Sequence, residues 1–154
     1  MNILVTGSEG FVGLKLQKVL LSLGHEVFLT DRLEKKKKNY FKFNLGTDPV
    51  QNFINNFKNF KIDLIINLAA AKGDFMLSED DFHRDNVSAT EALIKILKVL
   101  NLSNIIHYST VSVYGHNNSL KDETAELNPN NAYGKTKLAS ENILIQWQKS
   151  KTDR

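Results

Sequence analysis

The chain has 154 residues, of which 42% are hydrophobic and 24% charged, with a net charge of +3 and no cysteine. This length suits one domain with its own core, and without cysteine there is neither a disulfide nor a thiolate metal site, which fits a reducing compartment. No apolar run approaches the roughly 20 residues of a membrane span. The run Ile3 to Val5 is too short for a signal peptide, so a cytoplasmic location is expected. Part of the positive excess sits in Lys35, Lys36, Lys37 and Lys38. So short a run reads as a solvated loop, and neither nucleic acid nor a membrane is expected as a partner.

In chain order, NILVTG reads as a buried strand of the parallel type, closed by Thr6 and Gly7. FVGLKLQKVLLSLG follows, with Phe11, Leu14, Leu16, Val19, Leu20 and Leu23 broadly at helical spacing and Gly24 as a natural stop. HEVFLTD predicts a second strand and NYFKFNL a third. DPVQNFINNFKNF predicts a helix with Asp48 as N-cap and Pro49 at its first position. IDLIINLAAA predicts a fourth strand. A long helical pattern runs from about Glu79 to Leu100, best between Val87 and Leu100. SNIIHYSTVSVYG predicts a fifth strand with the turn after it, and a last helix is expected from Asn131 to about Lys149. This alternation is that of βαβ units. The expected fold is α/β, a doubly wound parallel sheet of order 3-2-1-4-5 with helices on both faces. Ligands in such sheets sit at the carboxyl ends of the strands, where the winding reverses between the first and fourth.

The segment TGSEGFVG places Gly7, Gly10 and Gly13 between the first strand and the first helix. Gly7 permits the tight turn, Gly10 leaves room for a pyrophosphate at the helix amides, and Gly13 allows close packing of helix and strand. Asp31 ends the second strand, about 20 residues further on, where a carboxylate accepts hydrogen bonds from an adenosine ribose. A 2′-phosphate would be repelled there, which favours NAD over NADP. Arg32 and the nearby lysines could hold the extra phosphate and leave NADP open. Tyr133 and Lys137 stand four residues apart, on one helical face. A free phenol titrates near about 10, and bringing it to about 7 takes roughly 4 kcal/mol. A lysine, a nicotinamide cation and a partly dry cleft could supply that together, making the phenol a proton acceptor for a substrate alcohol. Ser109, Thr110 and Ser112 come at the carboxyl end of the fifth strand, where a hydroxyl can hold the reacting oxygen or simply form the turn.

Taken together, TGSEGFVG, DLIINLAA, STVSVYG and AYGKTK resemble the NAD-dependent epimerase/dehydratase family of extended short-chain dehydrogenases/reductases. They come in the family's order and spacing and cover essentially the whole chain. Members mostly act on nucleotide sugars. The resemblance implies a Rossmann-like domain with tightly held NAD(P); no metal is expected. It implies Tyr133 as acid/base, Lys137 bonding the nicotinamide ribose and lowering the tyrosine pKa, and Thr110 at the family's Ser/Thr position. For the cofactor it implies Gly7, Gly10, Phe11, Val12 and Gly13 in the loop, then Asp31 and Arg32, then Asn44 and Leu45 near adenine. Leu68, Ala69 and Ala70 would line the cleft, Lys72 would reach cofactor or substrate phosphates, and Asn86 completes the set.

Three departures narrow the expectation. Asn44 stands where the family often has aspartate, and Asn67 where it often has histidine. Val111 and Ser112 follow Thr110 where sugar 4,6-dehydratases carry an Asp-Glu pair, so an epimerase or reductase is expected rather than a dehydratase. Family members run to roughly twice this length, typical of a two-lobed enzyme. Residues 1–154 are therefore expected to be a single NAD(P)-binding domain, the N-terminal part of a longer enzyme, truncated before strand 6 and the substrate lobe. Poor activity alone follows from that expectation. The competing expectation is a non-catalytic dinucleotide-binding or regulatory module. The resemblance also implies a homodimer through helices 87–100 and 131–149.

Overall fold

The structure is a computed structural model that describes residues 1–73, 76–116 and 120–152. Runs of β-branched residues, leucine and phenylalanine form the inner strands β1 (Asn2–Thr6), β2 (Glu26–Asp31) and β4 (Leu64–Asn67). The flanking strands are short, β3 (Tyr40–Lys42) beyond β2 and β5 (Ile105–His107) beyond β4. All pairs are parallel and the order is β3-β2-β1-β4-β5, as the βαβ rhythm implies. Strands alternate their side chains between faces. Ile3, Val5, Val27, Leu29 and Ile66 pack with Leu20 of α1 (Phe11–Ser22) on one face. Leu4, Phe28 and Ile65 pack on the other face, against α2 (Val50–Phe57), α4 (Ala89–Val99) and Trp147 of α5 (Ala132–Thr152). Among the described residues, no helix is long and apolar enough to cross a membrane.

Several local expectations change. In α1 the buried positions are Gly13, Gln17 and Leu20, while Phe11, Leu14, Val19 and Leu23 are exposed. The helix therefore approaches the loop before it through a small residue and an amide rather than through the apolar stripe. Asp48 does not cap α2, which starts one residue after Pro49. Its carboxylate instead accepts the Asn44 N–H at 2.8 Å, closing the turn after β3. The long helix is composite: α3 (Glu79–Phe82), a π segment at His83–Ser88, then α4. Ser78 caps its start by a capping box with Asp81. Asn131 caps α5 by accepting the Gly134 N–H at 2.7 Å. The lysine run is not wholly solvated, because Lys37 pairs with Glu9 at 2.5 Å.

Candidate active site

The turn after β1 is shaped by what it lacks. Gly7 has φ +65°, and a Cβ there would lie 2.7 Å from the Ala69 nitrogen. The end of β1 thus presses directly on the backbone beyond β4. A Cβ on Gly13 would lie 2.5 Å from the Gly7 oxygen, so α1 enters flush against its own loop. Gln17 locks this arrangement, its amide donating to the Ser8 and Gly13 carbonyls at 3.1 and 3.2 Å. Gly10 is the N-cap of α1, and no side chain caps the first turn. The amide end of the helix is left open beside Gly10, Phe11 and Val12, an arrangement that suits a phosphate group.

The end of β2 is acidic and tied down. Asp31 accepts the Glu9 N–H at 3.0 Å on one carboxylate oxygen and the Leu33 N–H at 3.2 Å on the other. Each oxygen keeps acceptor capacity for a ribose hydroxyl. Burial, then Asp31, Glu9 and Glu34 in turn, push the nearby Tyr40 phenol up to about 12. Arg32 reaches across to Asp85 at 3.6 Å, and Arg84 grips the same carboxylate at 2.7 Å.

The other end is built from buried side chains. Lys137, 2% exposed, donates to the Tyr108 carbonyl at 2.5 Å and meets His107 Nε2 at 3.1 Å. His107 Nδ1 lies 2.9 Å from the Asn67 amide, and Asn67 Oδ1 accepts the Thr6 hydroxyl. Burial holds the Lys137 ammonium down to about 8, with Glu141 opposing. Burial, and then the charge of Lys137, hold His107 down to about 4. Tyr133, one turn before Lys137 on α5, packs its ring 6.3 Å from that of Phe82.

Both ends open into one cleft of about 430 Å³ at the carboxyl edge of the sheet. Its lining brings together Gly7, Gly10, Phe11, Val12, Gly13, Asp31, Arg32, Asn44, Leu45, Leu68, Ala69, Ala70, Lys72, Tyr133 and Lys137. Thr110 and Asn86 lie outside that lining. Thr110 accepts the Ser112 N–H at 3.2 Å, while its neighbour Ser109 lines the cleft and donates to Glu141. Asn86 is 3% exposed and its amide clamps the Ala71 backbone in both directions and bonds Thr136. Glu9, Asp85 and His107 were not singled out from the sequence. A signal for His107 exists: each apolar strand run ends in a polar residue, Thr6, Thr30, Asn67 and His107, and these four stand in register across the sheet.

The family model described as NAD dependent epimerase/dehydratase matches residues 3–153. A UDP-glucose 4-epimerase of Halalkalibacterium halodurans is 29% identical, over 94% of this chain and 45% of the relative. The solved UDP-Glc/GlcNAc 4-epimerase of Campylobacter jejuni superposes with a TM-score of 0.85 at 26% identity, over 97% of this chain and 49% of that one. The UDP-glucose 4-epimerase of Brucella ovis, solved in complex with NAD, superposes with a TM-score of 0.85 at 25% identity, over 95% and 47%. The chain spans about half the length of each of these three relatives. With the open glycine loop, the acid after β2 and the Tyr133/Lys137 helix all in one cleft, this chain belongs to the NAD dependent epimerase/dehydratase family.

Proposed function

We propose that this chain binds NAD in the cleft and that Tyr133 and Lys137 form the proton-transfer pair of an epimerase or reductase acting on a nucleotide sugar. One continuous cleft joins Asp31 and the glycine loop to Tyr133 and Lys137, and that continuity carries the reading. The residues fit an elongated dinucleotide. The uncapped start of α1 would hold the pyrophosphate, Asp31 the ribose hydroxyls, Asn44 and Leu45 the adenine end, and Lys137 the nicotinamide ribose. NAD, when bound, supplies the hydride acceptor and donor at the sugar carbon. Tyr133 takes the proton from the sugar hydroxyl on oxidation and returns it on reduction. Lys137 lends positive charge from the same helix face, and Thr110, three residues past β5 and outside the lining of the cleft, is the hydroxyl that would turn to the reacting oxygen once the cleft is filled. Val111 and Ser112 place no carboxylate after Thr110, and Val111 is 81% exposed, which supports oxidation–reduction without water elimination.

We also propose that residues 1–154 are the dinucleotide-binding part of a longer enzyme, which accords with the half-length match to its relatives. NADH titration followed by fluorescence should show binding by this chain, weakened in Asp31→Ala. Turnover of UDP-glucose by the chain alone should be slow. In a longer version, Tyr133→Phe should lower kcat roughly 100-fold or more while NADH still binds. No NADH binding, or full turnover by Tyr133→Phe, would overturn the reading. Binding with no turnover in any longer version would leave a dinucleotide-binding module instead.

A further inference from the structure

The last residues of β1, β4 and β5 stand side by side, Thr6 beside Asn67 and Asn67 beside His107. Their side chains form one hydrogen-bonded row that ends on Lys137, with separations of 2.5, 2.9 and 3.1 Å. Thr6, Asn67 and Lys137 are 1%, 3% and 2% exposed, so the row must satisfy itself with little help from water. A neutral imidazole has one donor nitrogen and one acceptor nitrogen, which gives the row a direction.

Two directions are consistent. A charged Lys137 can only donate. His107 Nε2 then accepts, Nδ1 carries the hydrogen, and Asn67 must turn its oxygen to the ring and its nitrogen to the Thr6 oxygen. A neutral Lys137 can accept from Nε2–H. Nδ1 then accepts from the Asn67 nitrogen, and the Asn67 oxygen accepts the Thr6 hydroxyl. A half-turn of the Asn67 amide exchanges its two ends and serves both states, with Thr6, whose oxygen already takes the Ala69 N–H at 3.4 Å, changing from donor to acceptor toward Asn67. Lys137 donates to the Tyr108 carbonyl in either case.

We propose that His107 is a positioning residue for Lys137 and that its tautomer reverses with the charge on Lys137, carried by Asn67 and Thr6. The proposal rests on the reading of Lys137 as the partner of Tyr133 and of the dinucleotide. It gives that lysine a fixed seat in both charge states. Among the described residues, Glu141 acts on Lys137 from the same helix and Lys137 itself acts on His107, while the Tyr133 phenol shares the cleft with Lys137 one turn earlier. With Lys137 held down to about 8 and His107 to about 4, the ring is uncharged while the lysine changes state.

The test is a long-range proton–nitrogen NMR spectrum of the imidazole-labelled chain. His107 is assigned by its loss in His107→Gln, or, independently, in a variant with His25, His83 and His116 all replaced by glutamine. The expected result is an Nδ1–H tautomer at about pH 6 that becomes Nε2–H with a midpoint near about 8. In Lys137→Met the tautomer should not change with pH. A wild-type tautomer that stays fixed up to about pH 10, or one that reverses equally in Lys137→Met, overturns the proposal. NADH binding is followed on the same samples. Binding without tautomer reversal overturns the row alone; reversal without binding overturns the functional reading alone.

Discussion

The two ends of the cleft are made of different material. At the β1–α1 loop the site is backbone: Gly7 and Gly13 leave no room for a side chain, and the first turn of α1 is uncapped. Toward the β5–α5 end it is side chain: a row starts on Thr6 of β1 and runs through Asn67 of β4 and His107 of β5 to Lys137 of α5. A backbone site depends on volume, and one added carbon is enough to break it. A side-chain site depends on matched donors and acceptors, so it responds to pH and to removal of any member.

The largest expected effect lies at the backbone end. Gly7→Ala adds a carbon 2.7 Å from the Ala69 nitrogen at φ +65°, and should cost about 4 kcal/mol in urea unfolding. A loss below about 1 kcal/mol would show that β1 and the backbone after β4 separate easily.

The side-chain end should answer to acid. His107 is held at about 4 in the folded chain and titrates near about 6.5 when unfolded, so on acidification the unfolded chain takes up the proton first. Stability should therefore fall as pH drops through about 6.5 to about 4, by roughly 3 kcal/mol from this group. Comparing urea midpoints of wild type and His107→Gln at the two ends of that window isolates it from the carboxylates; equal slopes would mean the ring is protonated in the fold.

Between the two ends, Asn86→Ala removes the amide that clamps Ala71 and bonds Thr136. It should cost about 2 kcal/mol by thermal unfolding, since it strands buried polar groups. A neutral result would mean that Ala71 holds its place without the clamp. The smallest effect belongs to Lys37→Ala, which breaks the pair with Glu9 beside Asp31. About 0.5 kcal/mol is expected at low salt and less at high salt; a salt-independent loss would point to packing of the lysine stem instead.

The backbone end was legible in the sequence from context: the glycine spacing alone would suit a packing turn, but it falls between an apolar strand and a helix with an acid ending the next strand. The strand order followed from the βαβ rhythm, and Asp31 from its place after β2. The side-chain end was only half legible. Tyr133 and Lys137 share a helix and are visible as a pair. Lys137, however, meets His107 across 30 positions of sequence, and His107 meets Asn67 across 40. Such partners become neighbours only once the register of three strands is known. Most of the apolar residues of α1 misled because its tight seat puts Gly13 and Gln17 inside with Leu20 and leaves Phe11, Leu14, Val19 and Leu23 exposed. The clamp of Asn86 was hidden for a related reason, since nothing local marks Ala71 as its partner.

The π segment at His83–Ser88 has a consequence for counting. A π turn holds about one residue more than an α turn over the same stretch of axis. Deleting a single residue there would let the chain close into continuous α-helix, turning everything ahead of it by about 100° relative to α4. Arg84 and Asp85 lie within the segment; Asp85 lines the rim of the cleft close to Gly46 and pairs there with Arg32, and it would leave that rim while α4 kept its seat against the sheet. In a deletion scan, the segment is where chain length and the cleft's arginine–aspartate rim can be uncoupled from the core.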